Sequence, residues 1–184
     1  RGAASVALSP AERDLCDHIA LRRERLLDEL AAHVAIPTGT GHDEGVNAYR
    51  ALLAARLKAI GAEMHLEPGT PRPEWLDPPH ARRVDPSIPP TAVFTREASS
   101  GPPRILISGH LDTVHDPKGA FNALTLLPDG NTAVGPGAAD MKGGILIAVT
   151  ALEVLAELGH DLSWTFVLNA DEETGSIHSA SALQ

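Results

Sequence analysis

Apolar positions recur at helical spacing from the start of the chain. Leu15, Ile19, Leu26 and Leu30 share one face, interrupted by Arg22, and predict a helix over residues 10–34. Ser9-Pro10 and Glu12 open it, and Pro37 follows its end. The turn-rich IPTGTGHDEG leads to a second predicted helix from Asp43 to Ile60, stopped by Gly61. AEMHLEP reads as a short strand, and TAVFTRE and RILISGH as two more, joined by a Pro/Gly/Ser turn. RILISGH has the unbroken apolar run of a central strand covered on both faces. LTLLPDGNTAVG predicts a hairpin around Asp129-Gly130. MKGGILIAVTALEVLAELG is a largely apolar helix closed by Gly159, and LSWTFVLNA is another buried strand. Strands alternating with helices predict an α/β fold, a three-layer sandwich around a mostly parallel central sheet.

One interruption stands out. Residues 68–90 hold eight of the fifteen prolines. Proline donates no backbone hydrogen bond, so this stretch reads as an extended surface loop within a single unit, residues 1–184, not as a domain boundary.

Charge narrows the partners. Lys and Arg total 15 against 24 Asp and Glu, a net charge of −9, and no basic stripe appears, which argues against nucleic acid. Aromatic residues make up only 3%, too few for a base-stacking surface. Cys16 is the only cysteine, so no disulfide can form within the chain. No apolar run is long enough to span a membrane. RGAASVALSP lacks both a methionine and a signal-peptide core and reads as a trimmed start. The compartment stays open, with the cytoplasm favoured for want of a visible signal peptide.

Three polar clusters fall at strand ends or just before a helix: SGHLDTV (108–114), GPGAADMKGG (135–144) and NADEETGS (169–176). Open α/β sheets collect ligands at the carboxyl ends of their strands, so the three are expected to converge. His110 and Asp112 point to the same side of a strand. They read either as a hydrogen-bonded pair at a strand end or as a metal-binding imidazole whose tautomer a carboxylate fixes. Asp140 sits between a glycine-rich turn and an apolar helix, as an N-cap or as a carboxylate bridging two cations. Lys142 reads as a solvated or structural charge. Asp171, Glu172 and Glu173 crowd three carboxylates onto the end of a buried strand, a repulsion that solvent or a divalent metal must relieve.

Taken together these motifs resemble the zinc metallopeptidases that include glutamate carboxypeptidases, acetylornithine deacetylases, succinyl-diaminopimelate desuccinylases and aminoacylases. VGPGAADMKGG followed by NADEETGS is most similar to the glutamate carboxypeptidase branch. The resemblance implies a site of two zinc ions, with cobalt or manganese as possible substitutes. His110 would bind one ion, Asp140 would bridge both, and Glu173 would bind the other. Glu172 would be the general base for the metal-activated water, and Asp112 would orient His110. It also implies a cis peptide between Asp140 and Met141. The implied reaction is hydrolysis of a C–N amide bond in a small peptide, releasing a C-terminal amino acid such as glutamate, or deacylation of an N-acyl amino acid. No separate cofactor-binding residue is implied.

The resemblance covers an N-terminal part only. Family members have five metal ligands and three find a match here. A carboxylate beyond DEETGS, a histidine near the C-terminus and substrate-binding arginines have no counterpart before Gln184. Neither has the lid domain through which a longer form would make a homodimer. The expectation is a chain that alone is inactive or weakly active; a module retained as a non-catalytic scaffold is the alternative of a different class. His115, in the loop after Asp112, and His178, in the first turns of a following helix, read as surface or substrate-side residues, with metal ligation as the minor alternative. His18, His33, His42, His65, His80 and His160 read as surface or packing histidines.

Overall fold

The computed structural model describes residues 7–71, 73, 75, 88–99, 101 and 104–184. Most of the proline-rich loop expected at 68–90 therefore lies outside the described residues.

Helix α1 (Pro10–Ala20) opens with a full capping box. The Ser9 hydroxyl accepts from the Glu12 amide at 3.3 Å, and the Glu12 carboxylate accepts from the Ser9 amide at 2.7 Å. The single helix expected over 10–34 is two. Arg22 leaves the helical region (φ −97°, ψ 2°) before α2 (Arg23–Ala35) begins. The break falls at the residue that interrupts the apolar stripe: Arg22 pairs across to Glu157, and Leu21 is left 87% exposed. Helix α3 (Asp43–Ala59) ends before Gly61, whose φ of 87° suits a residue without a side chain.

Strands β1 (Glu63–Glu67), β2 (Thr91–Arg96) and β3 (Arg104–His110) precede the hairpin of β4 (Thr125–Leu126) and β5 (Ala133–Val134). Asp129 holds that hairpin, accepting from the amides of Asn131 and Thr132 and from the Thr132 hydroxyl. Helix α4 (Gly143–Glu157) and strand β6 (Ser163–Asn169) complete the fold.

The main sheet runs β1-β2-β6-β3. β6 pairs parallel with β3 and antiparallel with β2, which pairs antiparallel with β1, so the described ladder of this α/β fold is mixed. RILISGH is not the central strand expected from its apolar run. β6 takes that place, and β3 lies at the edge of the described sheet with Leu106 71% exposed. The apolar run does not mark burial here: Ile105 is 41% exposed as well, and only the Gly109–His110 end of β3 is buried.

The core lies where α3 and α4 meet the sheet. Tyr49, Leu53 and Leu57 from α3 and Ile145 and Val149 from α4 pack with Phe94 of β2 and Trp164, Phe166 and Leu168 of β6. Burial of each large side chain contributes about 1.5–3 kcal/mol. This packing fixes β6 and, through the β3–β6 register, the level of both strand ends.

Candidate active site

The register places His110 opposite Asn169. One more ladder bond, Leu111 N–H to the Asn169 carbonyl at 2.8 Å, carries the pairing past both strands. SGHLDTV and NADEETGS therefore leave the sheet side by side. Gly109 makes room for this: a Cβ there would meet the Met141 Cε at 3.1 Å and a Leu168 methyl at 3.3 Å.

GPGAADMKGG arrives from the other direction. Ala138–Lys142 makes a kinked turn ahead of α4, with Asp140 (φ −128°, ψ 98°) and Met141 (φ −131°, ψ 27°) outside the helical region, and the Asp140–Met141 peptide is cis. Gly137 enters the turn at φ 68°, where a Cβ would lie 2.7 Å from the Thr113 methyl. Lys142 fastens the turn to the end of α2. Its ammonium donates to the carbonyls of His33 (3.1 Å) and Ile36 (2.6 Å) and sits 5.3 Å from the centre of the Tyr49 ring. With 1% exposure it is a structural charge and not a solvated one, and burial lowers its pKa to about 8.

His110 is the hub. Its Nε2 lies 2.9 Å from an Asp140 oxygen and 3.9 Å from a Glu172 oxygen. Its Nδ1 lies 3.0 Å from the Asp112 backbone carbonyl and 3.5 Å from the Asp112 carboxylate. One ligand atom each from His110, Glu172 and Glu173 falls within 4.8 Å of the other two. Asp140 joins them through His110, its own side chain 73% exposed.

Asp112 does more than stand beside the imidazole. Its carboxylate, 1% exposed, accepts from the amides of Glu172 (3.3 Å) and Glu173 (3.0 Å). Asp171 holds the next stretch, accepting from the amides of His178 (2.7 Å) and Ser179 (3.2 Å). These bonds explain why residues after Ser176 turn in place of forming the helix expected around His178. His178 packs its ring over Gly69, and His115 packs edge-on against Phe121. Sequence reasoning missed the amide clamp of Asp112 and the anchoring by Lys142. The signal for Lys142 was a single lysine at the head of an otherwise apolar helix.

The electrostatics suit a cation. Burial opposes protonation of His110, but the bonds to Asp112 and Asp140 outweigh it and push its pKa up to about 9. Glu173 is held above the usual carboxylate range, by burial first and then by the charges of Asp140, Asp112 and Glu172, partly offset by His110. An imidazole beside several carboxylates is a donor set that fits a divalent ion such as zinc.

Comparison with known proteins bears on this arrangement. Residues 106–183 match the model of Peptidase family M20/M25/M40. The chain is 32% identical over 153 residues to carboxypeptidase G2 of Pseudomonas sp. (strain RS-16), covering 82% of this chain and 33% of that protein. It is 31% identical over 153 residues to succinyl-diaminopimelate desuccinylase of Leptothrix cholodnii, covering 80% of this chain and 35% of that protein. The chain thus spans about a third of the length of these relatives. Its fold matches the crystal structure of human carnosine dipeptidase 1 with a TM-score of 0.74 at 21% identity, over 93% of this chain and 37% of that one. Among the described residues, no helix is long and apolar enough to cross a membrane. Over residues 106–183 the chain thus carries the sequence of Peptidase family M20/M25/M40.

Proposed function

We propose that the protein hydrolyses the amide C–N bond of a small peptide, releasing a C-terminal amino acid, with two zinc ions at the site built around His110. The observation that carries this reading is the meeting of His110, Glu172 and Glu173 within 4.8 Å, with Asp140 on the same imidazole nitrogen. His110, Asp140 and Glu173 would hold the metal. Divalent ions bound there would supply Lewis acidity, lowering the pKa of water towards about 7 and polarising a carbonyl.

The chain's own residues carry the rest. Asp112 fixes the backbone of both glutamates through their amides and keeps the imidazole facing Asp140. Glu172, its side chain 52% exposed, has room to take the proton from an attacking water and pass it to the departing amine. Asp140 opens to solvent on the side from which a substrate would approach.

Deacylation of an N-acyl amino acid is the second reading, supported by the near-equal likeness to the desuccinylase. The test assays zinc-loaded protein on a peptide ending in glutamate and on an N-succinyl amino acid. Faster release of glutamate supports the carboxypeptidase reading, and faster release of succinate supports deacylation. Glu172→Gln should lower either rate by about 10²–10⁴-fold. Unchanged turnover in that variant would remove Glu172 from the reaction.

A further inference from the structure

Beside the His110 cluster, between the first turn of α3 and the 170–178 segment, lies a cavity of about 340 Å³. That is within the ~300–1,000 Å³ range of small-ligand sites. Val46, Ile88 and Ile177 give it apolar walls, while Asp43, Asp112 and Asp171 give it three carboxylates. Neither lysine nor arginine lines it among the described residues. Asp112 spends both oxygens on the amides of Glu172 and Glu173. The other two acids each keep one oxygen in reserve. Asp43 Oδ1 and Asp171 Oδ1 are buried and have no hydrogen-bond partner among the described residues.

The remaining buried side-chain atoms without partners are threonine hydroxyls. Among the described residues the charged ones therefore come from two separate elements and line the same cavity. Asp171 is 3% exposed, and a buried carboxylate oxygen with no donor is costly enough to require a counterpart. Among the described residues, the cluster with metal-ligand spacing is His110, Glu172 and Glu173, and neither Asp43 nor Asp171 belongs to it. Two carboxylate acceptors on different elements suit a cation that donates several hydrogen bonds, and the apolar walls suit an alkyl stem behind such a head.

We propose that this cavity is a binding site for an organic ammonium or guanidinium group on a short aliphatic stem, seated between Asp43 and Asp171. Because Asp112 belongs to both the cavity wall and the glutamate clamp, an occupant lies directly behind Glu172 and Glu173. The inference does not depend on the hydrolytic reading.

Isothermal titration of the full chain with n-butylguanidinium and n-butylammonium chloride tests it, with n-butanol and potassium chloride as controls. Saturable binding of the two organic cations is expected, with none for n-butanol. Asp43→Asn and Asp171→Asn should each weaken binding by about tenfold or more. An arginine-containing dipeptide that binds more tightly than n-butylguanidinium would assign the site to a basic group of a substrate. Weaker binding of that dipeptide would assign it to a free amine ligand. Absence of saturable binding, equal binding of n-butanol, or displacement by potassium at equal concentration would overturn the proposal. So would unchanged affinity in Asp43→Asn, a variant of a half-buried residue that keeps the test open if Asp171→Asn fails to fold.

Discussion

Asp112→Asn removes one oxygen from the carboxylate that spans Glu172 and Glu173. The native group accepts from the two amides at 3.3 and 3.0 Å and is 1% exposed, so water cannot replace a lost partner. A hydrogen bond to a charged acceptor contributes about 1.5–3 kcal/mol. Asparagine keeps one acceptor and turns an NH₂ towards the other amide, losing one bond and facing donor against donor. The expected cost is about 2–4 kcal/mol, a large fraction of the ~5–15 kcal/mol that holds a typical domain together. Zinc affinity should fall as well, by about 10–100-fold, as it does when the groups behind metal ligands are changed.

Urea unfolding followed by tryptophan fluorescence measures the first effect. Trp164 is buried in β6 at 2% exposure, and Trp75 is 80% exposed, so the change in emission reports on the core. Asp116→Asn is the control, an exposed loop aspartate whose oxygen caps the Lys118 amide, expected to stay within about 0.5 kcal/mol of wild type. A wild-type unfolding midpoint together with wild-type zinc affinity in Asp112→Asn would refute the clamp.

Two further outcomes follow from the buried network behind Asp140. His33 is 2% exposed, and burial, helped by the charge of Arg56, holds its pKa at about 4 against 6.5 in the unfolded chain. The unfolded chain therefore takes up a proton that the folded one resists. This stabilisation is complete above about pH 6.5 and lost as pH falls towards 4, by about 1–3 kcal/mol after allowing for solvent screening. Denaturant midpoints between pH 4 and 7 should show a slope that His33→Gln flattens; an unchanged slope contradicts the assignment. Lys142→Met leaves the His33 and Ile36 carbonyls without their donor and should cost about 2–4 kcal/mol in thermal unfolding, whereas an unshifted transition would show that the lysine anchors nothing.

Much of this site was legible in the amino-acid sequence because its parts are local. Ser9 with Glu12, Asp129-Gly130, Gly61 and Gly159 each announce a turn or a cap through short-range chemistry. The three polar clusters announce strand ends because charged residues cannot continue a buried strand. What escaped is set by long-range contacts. The break at Arg22 depends on Glu157, 135 residues away. The edge position of β3 depends on β6 inserting beside β2. Lys142 read as a solvated or structural charge, and what decides for the second is a pair of carbonyls at the end of α2, more than a hundred residues distant in sequence. Asp112 was read as a partner for the nearby His110, yet its carboxylate also accepts from amides 60 and 61 residues further on.

The proposed reaction requires a division of labour between the adjacent glutamates Glu172 and Glu173. Zinc content after equilibrium dialysis at neutral pH, measured for wild type, His110→Ala, Glu172→Gln and Glu173→Gln, tests that division directly. Wild type and Glu172→Gln should retain zinc, while His110→Ala and Glu173→Gln should each bind it at least tenfold more weakly. Retention of zinc by Glu173→Gln with its loss from Glu172→Gln would reverse the roles assigned here. Absence of zinc from wild type would remove the metal centre altogether.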